Sequence, residues 1–356
     1  MTFDHEQLTV QRGRRSGLPV AIAVHSTARG MAVGGCRLKH YAGWRDGVAD
    51  ALRLAEAMTY KTAVAGLDHG GGKTVVALPT AAPLDDAARR DVLLDVGDAV
   101  ESLGGRYGTG PDVGTGPVDM VTIGERTRWA FCRPADQGGS GDSSGPTAEG
   151  VLAALAALCA HRFGTAAPDA GDAGRHAGMA GLRITLIGLG NVGTHLVKSL
   201  AGAGATLTVT DVDPGRRTLA DAVGAAWVAP EEAATTPADV IVPAALGGLL
   251  TPDLVPRLRC AAIAGPANNQ LADERVAAML HERGVVWVPD PVVSAGGVIY
   301  GTGVELRGLT PEAALAEVRT IGSTVTHILK ASTSLEAGIS PHTAAKELAE
   351  ARLRGA

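Results

Sequence analysis

Leu182-Arg-Ile-Thr-Leu-Ile-Gly188-Leu-Gly190-Asn191-Val192-Gly193-Thr-His-Leu-Val-Lys-Ser-Leu-Ala-Gly-Ala203 carries the strongest fold signal in the chain. Leu182 to Ile187 is a short apolar run, the pattern of a buried strand. Val192 to Ala203 reads as a helix, and Thr206 to Thr210 as a second strand that Asp211 closes. Gly188, Gly190 and Gly193 form GxGxxG. In a chain with 48 glycines that spacing alone says little. A strand before it, a helix after it and an acid about twenty residues on give it meaning. The glycines allow a tight turn and close approach of backbone to a pyrophosphate, with the helix N-terminus facing the negative charge. Asp211 would accept hydrogen bonds from ribose hydroxyls and repel a 2′-phosphate, which favours NAD over NADP. Arg216 and Arg217, a few residues on, are the residues that could argue the other way.

Working outward, Val240–Val242, Ala261–Ile263 and Val285–Val288 read as further strands separated by helices. Short apolar strands alternating with helices imply an α/β fold with a parallel sheet covered on both faces. Toward the N-terminus, Val20–Val24 and Thr74–Leu78 read as strands. Asp46 to Tyr60 reads as an amphipathic helix, with Val48, Leu52, Ala55 and Met58 at helical spacing. The breaker-rich segment Gln137-Gly-Gly-Ser-Gly-Asp-Ser-Ser-Gly-Pro146 reads as a hinge or ligand loop, followed by a helix from Ala148 to His161. Residues 165–179 read as a surface loop. The tail from Pro311 to Arg354 reads as helical, broken near Gly338–Pro341. At 356 residues the chain is too long for one ordinary core. The expected division is 1–135 as a substrate and oligomerisation domain, 136–310 as a Rossmann domain, and 311–356 as helices packing back toward the first.

The net charge is −5, which gives no electrostatic case for nucleic acid. Cys36, Cys132, Cys159 and Cys260 form no CxxC pair, so neither a disulfide framework nor a metal knuckle is indicated. Reduced thiols in the cytoplasm are the expectation. Met1-Thr-Phe-Asp-His-Glu6 lacks the basic and apolar regions of a secretory signal. The apolar stretch around Val151–Ala160 is too short to span a bilayer.

Two lysines stand out: Lys61 in Met58-Thr-Tyr-Lys61, and Lys73 in Gly70-Gly-Gly-Lys73. Met58 and Lys61, three apart, share a helix face. Glycines before Lys73 would let backbone lie against a ligand. The spacing of a P-loop is absent. Gly110-Pro-Asp112-Val-Gly-Thr115 puts a carboxylate in a turn. The plain alternatives are a solvated helix lysine at 61, a structural lysine at 73 and a turn-capping Asp112. Asp68 and His69 read as a loop pair; His281, His327 and His342 are assigned nothing.

These segments together resemble the glutamate/leucine/phenylalanine/valine dehydrogenases over nearly the whole chain. The likeness includes Gly34-Gly35-Cys-Arg37, Met58-Thr-Tyr-Lys61, Gly70-Gly-Gly-Lys73, Pro111-Asp-Val-Gly-Thr115 and Gly138-Gly-Ser-Gly-Asp-Ser-Ser144. It continues through Thr147, the Gly188–Gly193 loop, Ala244-Ala245-Leu-Gly-Gly248, Gly265-Pro-Ala-Asn-Asn-Gln270 and Ala295-Gly-Gly297. Ala65-Gly-Leu-Asp-His-Gly-Gly-Gly-Lys73 and Ser102-Leu-Gly-Gly-Arg-Tyr107 are most like actinobacterial valine dehydrogenases, and Thr109-Gly-Pro-Asp-Val113 adds a likeness to phenylalanine dehydrogenases.

The resemblance implies two domains with a deep cleft, and NAD-dependent oxidative deamination of an apolar L-amino acid to a 2-oxo acid and ammonia, by a homo-oligomer with no metal. Lys61 is implied to hold the substrate carboxylate, aided by Met58, Asn268 and the Gly34–Gly35 loop. Lys73 is implied to be the base that activates water. Free lysine titrates near ~10.4, so burial and a second cation, Lys61, would have to push Lys73 toward neutrality. Asp112 is implied to handle protons on the amine. Thr147, Asn191, Val192, Ala244, Ala245 and Asn268 are implied to border the cofactor, and Val292, Val293 and Ser294 the substrate side chain. Ser294 stands where the family usually has asparagine, Pro291 where an aromatic residue is expected, and Cys36 where relatives carry threonine. These departures bear on pocket volume and leave open an unusual side chain.

Overall fold

An interior strand carrying two adjacent glycines organises the first unit. In a computed structural model describing residues 4–165, 178–333 and 338–355, the chain divides into two units. Most of the surface loop expected at 165–179 lies outside the described residues. The first unit comprises Met1–Ser143, Ile299–Ala314 and Ala349–Ala356. Its elements are β1 (Gln7–Arg12), β2 (Pro19–Ser26), β3 (Ala32–His40), α1 (Trp44–Val64), β4 (Gly70–Leu78), α2 (Asp86–Glu101), β5 (Tyr107–Pro111) and α3 (Pro117–Gly124). The strand order is β1-β2-β4-β3-β5. β3 runs parallel to both β4 and β5, which α1 and α2 make possible as crossovers.

β4 shows how this sheet is layered. Lys73 and Val75 point to the α1 side, where Val75 packs with Ala21, Ala23, Ala51 and Ala55. Thr74 and Val76 point to the other side, where Val76 joins Cys36, Leu38, Val92, Val96, Tyr107 and Ile123 under α2 and α3.

The glycines before Lys73 form part of β4 and do not line a ligand loop. A Cβ on Gly70 would strike the Ser26 carbonyl, one on Gly71 the Thr59 backbone of α1, and one on Gly72 the Tyr107 ring. Their missing side chains let β4 lie close under α1 and between its neighbours. Gly34 and Gly35 likewise sit in the middle of β3, not in a loop. A Cβ on Gly34 would strike the Gly72 carbonyl.

The second unit comprises Ser144–Val298 and Leu315–Leu348. It begins with α4 (Ser144–Phe163), which draws Gly145 and Pro146 of the expected hinge into its first turn. There follow β6 (Arg183–Ile187), α5 (Asn191–Gly202), β7 (Thr206–Thr210), α6 (Arg217–Ala222), β8 (Ala226–Trp227), α7 (Pro230–Ala233) and β9 (Val240–Pro243). Then come β10 (Ala262–Ile263), α8 (Arg275–Glu282), β11 (Val286–Trp287) and α9 (Asp290–Val293). The sheet order is β11-β10-β9-β6-β7-β8, all parallel. This is a doubly wound Rossmann sheet whose order reverses between β6 and β9, the switch point at which such sheets bind ligands.

The remaining helices are α10 (Gly296–Glu305), α11 (Pro311–Arg319), α12 (Ile321–Thr333) and α13 (Pro341–Arg354). The tail is divided between the two units. Leu315–Leu348 clusters with the second unit, whereas Ile299–Ala314 and Ala349–Ala356 cluster with the first. Gly150 and Gly322 explain the first assignment. Gly150 of α4 has room for no side chain against Ile321 and Val318, and Gly322 of α12 lies against the Ala153 carbonyl. Arg352 explains part of the second: its guanidinium donates to the Ala63 and Val64 carbonyls at the end of α1, at 3.1 and 2.6 Å.

Candidate active site

In the first unit the register across three strands assembles the chemistry. Val33 faces Gly71 and Cys36 faces Thr74, so Gly35 lies opposite Lys73; on its other side Gly35 faces Gly110. Lys73 from β4 and Asp112 from the end of β5 therefore meet over a residue without a side chain. A Cβ on Gly35 would lie 2.7 Å from the Asp112 Cβ and 3.0 Å from Lys73 Nζ. In the gap, Lys73 Nζ stands 3.1 Å from Asp112 Oδ2.

The turn that presents Asp112 is held by Thr115. Its hydroxyl accepts from the Asp112 N–H at 2.9 Å and donates to the Cys36 carbonyl at 2.7 Å. Gly114 takes φ +82°, and a Cβ there would strike the Leu38 carbonyl. The turn is thus fastened to β3 at two points.

Arg37, two residues beyond Gly35 and on the same face of β3, completes the cluster. Its Nε donates to Asp112 Oδ2 at 2.7 Å and its Nη1 to Asp50 Oδ2 on α1 at 2.9 Å. Asp50 is held in turn by Tyr41 and Arg53, each at 2.6 Å.

Burial sets the electrostatics. Lys73 is 5% exposed. Desolvation pushes its amine below the ordinary lysine value and the charge of Arg37 adds to that, against the pull of Asp112. Arg37 is thus a cation acting on Lys73 that the motifs had not singled out. Burial alone would raise Asp112, but Lys73 and Arg37 outweigh it and hold the carboxyl below the usual range. Cys36 faces the opposite, apolar side, where burial pushes its thiol up and keeps it protonated. Met58 and Lys61 lie one turn apart on α1, both half-buried. Asp68 is exposed and paired with Arg29 at 2.8 Å, while His69 is buried against the Met31 carbonyl at 3.2 Å.

In the second unit the other predicted residues gather at the C-terminal ends of the strands. Gly188, directly after β6, takes φ +108°, and a Cβ there would lie 2.8 Å from Ala245 N. A Cβ on Gly193 would strike the Gly188 carbonyl. Gly190 caps α5 without a side chain, so Asn191, Val192 and Gly193 form a helix start open to an anion. After β7, Asp211 accepts from Leu189 N at 2.6 Å and from Asp213 N at 2.9 Å. Its carboxylate is thereby fixed beside the glycine turn. This cradle fits a dinucleotide: close backbone, an uncapped helix N-terminus and a placed acid.

Asn268 lies on a loop with a brace the sequence did not reveal. Asp290 accepts from Asn269 N at 2.8 Å, and Asn269 takes φ +55°. Gln270 donates to the Gly265 carbonyl at 2.7 Å and accepts from the Trp287 indole at 2.9 Å. Ser294 Oγ is 2.7 Å from the Asp290 carbonyl and 3.3 Å from Asn268 Oδ1. A Cβ on Gly296 would lie 2.5 Å from the Pro146 carbonyl oxygen and 3.0 Å from the Thr147 Cα in the first turn of α4. Val292 and Val293 are fully buried, and Pro291 is half-buried.

Among the described residues, all four cysteines are free and no cluster of three His, Cys, Asp or Glu side chains is assembled to hold a metal. No described helix is long and apolar enough to cross a membrane.

Two family models match the chain. One, described as the Glu/Leu/Phe/Val dehydrogenase dimerisation domain, matches residues 4–129; the other, the glutamate/leucine/phenylalanine/valine dehydrogenase model, matches residues 216–307. A valine dehydrogenase of Streptomyces virginiae is 41% identical over 99% of this chain and 94% of its own length. A leucine dehydrogenase of Bacillus cereus is 37% identical over 99% of this chain and 91% of its own length. The crystal structure of L-tryptophan dehydrogenase from Nostoc punctiforme superposes with a TM-score of 0.82 at 32% identity, covering 99% of this chain and 96% of that one. The lysine–aspartate pair over Gly35, the Rossmann cradle and these full-length likenesses lead to one conclusion: the chain belongs to the glutamate/leucine/phenylalanine/valine dehydrogenase family and is an amino-acid dehydrogenase.

Proposed function

We propose that the chain oxidises an apolar L-amino acid with NAD⁺ to the 2-oxo acid and ammonia, reversibly, with valine and other branched chains preferred. The observation that carries this reading is the buried Lys73 amine beside Asp112, over a glycine that leaves room for substrate. Bound NAD⁺ supplies the hydride acceptor for the substrate Cα–H bond. The residues of this chain do the rest. Lys61 holds the substrate carboxylate, with Met58 and the Gly34–Gly35 backbone beside it. Asp112 attracts the substrate ammonium and takes its proton, so that Cα carries a neutral amine before hydride leaves. Lys73, held below its ordinary value by burial, withdraws a proton from water as that water attacks the resulting iminium carbon. Asp112 returns its proton to the amino group of the carbinolamine. As the C–N bond breaks and ammonia departs, the carbinol hydroxyl gives its proton to the Asp112 carboxylate. Lys73 and Asp112 then release their protons to solvent.

In this reading Thr147, Asn268, Ala244 and Ala245 border the cofactor. Val292, Val293 and Ser294 bound the side-chain pocket. NAD rather than NADP is supported by Asp211 and by the pairing of the neighbouring arginines, Arg216 with Asp213 at 3.6 Å and Arg217 with Asp221 at 3.9 Å. A homo-oligomer is supported by the dimerisation-domain match over residues 4–129. A phenylalanine-preferring enzyme, or a specialised one with an unusual side chain, is the second reading, motivated by the short Ser294 and by Pro291.

The test is an initial-rate panel of the twenty L-amino acids with NAD⁺ and NADP⁺. Valine, leucine and isoleucine should lead with NAD⁺. A lead for aromatic substrates would select the second reading, and inactivity on the whole panel would end both.

A further inference from the structure

Three charged groups meet at the Gly35 gap, and the reaction just described uses two. Arg37 is the third. It donates to Asp112 Oδ2, the same oxygen that Lys73 approaches, and its bond is shorter, 2.7 against 3.1 Å. Its guanidinium is fixed at the other end by Asp50 at 2.9 Å, and its side chain is only 15% exposed. We propose that Arg37, locked by Asp50, is a positioning residue that takes the larger share of Asp112 and so releases the Lys73 amine to act as a free base. This rests on the role of Lys73 in the reading above.

Net charge in a desolvated site decides which form of Lys73 is favoured. Asp112 and Arg37 already form a neutral pair. A protonated Lys73 makes the trio +1, while a neutral Lys73 leaves it uncharged, so burial favours the neutral amine. Without Arg37, protonated Lys73 and Asp112 would be the neutral combination, and burial would favour the ammonium. The preferred state of Lys73 thus reverses with one residue. The charge of Asp50 does not undo this, because Arg53 neutralises it at 2.6 Å.

Other titratable groups on the elements packed round Lys73 do not replace Arg37. His25 on β2 is tied to Thr59 at 3.0 Å and pushed toward its neutral form by burial. Cys36 on β3 and Tyr107 on β5 are held protonated by burial on the opposite side of the sheet. Lys61 on α1 carries the same sign as Arg37. An arginine is suited to this place because it does not deprotonate and its fork spans two carboxylates.

The experiment compares the full chain with Arg37→Gln, which retains hydrogen bonding without charge, and Arg37→Lys, which restores the charge. Two readouts are taken across pH: kcat for valine oxidation, and the rate at which cyanate carbamylates Lys73 in the enzyme alone, followed on its peptide by mass spectrometry. Arg37→Gln should move the carbamylation profile of Lys73 upward by about one pH unit or more, equivalent to about tenfold less free amine on the acid side. The acid limb of kcat should move with it, with activity recovering at high pH. Arg37→Lys should lie nearer the parent in both. An unmoved carbamylation profile in Arg37→Gln, a fall in kcat uniform across pH, or an equal shift in Arg37→Lys would each overturn the proposal. If the parent oxidises no amino acid, the proposed reaction fails by itself, and carbamylation still decides the role of Arg37.

Discussion

Single side chains carry the two halves of the chemistry. Lys73 is buried where an ammonium is poorly solvated, and its nearest anion is shared with Arg37. Lys73→Met is expected to cut kcat by about 10²–10⁴-fold, the usual contribution of a positioned acid–base group. NAD⁺ affinity, measured by calorimetry on the same variant, should stay within about twofold because the cofactor cradle is built from other residues. Parent-like turnover would remove Lys73 from the mechanism. In the proposed reaction Asp211 serves the cofactor. Its oxygens already accept from Leu189 N and Asp213 N, which aim the carboxylate. Asp211→Ala should weaken NAD⁺ binding by about tenfold or more, the scale of a charge-assisted hydrogen bond. Unchanged affinity would move adenosine recognition elsewhere.

At the scale of elements, glycine decides what can approach what. Gly35 leaves the gap in which Lys73 and Asp112 meet, and Gly71 lets α1 rest on β4. Two alanine substitutions test this, one at the chemistry and one at the packing. Gly35→Ala places a methyl 2.7 Å from Asp112 Cβ, 2.9 Å from the Pro111 carbonyl oxygen and 3.0 Å from Lys73 Nζ, so activity should fall by at least about tenfold, with a stability cost of about 1–3 kcal/mol. Gly71→Ala drives a methyl into the Thr59 backbone, which cannot yield as a side-chain tip can. It should destabilise the first unit by about 1–3 kcal/mol in a denaturant titration. Parent-like activity in Gly35→Ala, or parent-like stability in Gly71→Ala, would refute these roles. Glycines also hid β3 and β5 from a reading by propensity, since glycine is depleted in strands and Tyr107-Gly-Thr-Gly-Pro111 contains two glycines and a proline. β5 tolerates them as an edge strand. Arg37 was legible only as part of a motif. Its strand parity with Gly35 was the available signal, and using it required knowing that β3 was a strand.

For the whole molecule, buried carboxylates link stability to pH. Asp95 on α2 is 2% exposed, and burial alone would raise its pKa. Ser16 N and Oγ, at 2.9 and 2.8 Å, and Arg15 N and Nη1, at 3.1 and 2.9 Å, outweigh burial and hold it low. Its folded pKa thus lies below the unfolded value of ~3.9. Its contribution to stability is complete above that value and is lost as pH falls through the folded one. Asp95→Asn should cost about 1–3 kcal/mol at pH 7. It should also flatten the loss of stability below about pH 4. An acid limb as steep as the parent's would show that other carboxylates govern it. The division of the chain belongs to this scale as well. Helical periodicity identified the tail, but periodicity says nothing about partners. Gly150 and Gly322, buried between helices, assign α12 to the second unit, and Arg352 returns the chain's end to α1.

What the sequence determined by itself is the part governed by local order: the strand, glycine turn, helix and acid from Leu182 to Asp211, and the residue types Lys61, Lys73 and Asp112 within their motifs. Contacts along a chain follow from spacing, so such features can be read without coordinates. Tertiary structure alone decided that Gly34, Gly35 and the glycines before Lys73 lie within strands, that Lys73 and Asp112 share one gap, and that Arg37 stands beside them. Those facts depend on the register of three strands that are not neighbours in sequence, and a parallel sheet fixes that register through crossovers and packing, which no local pattern encodes.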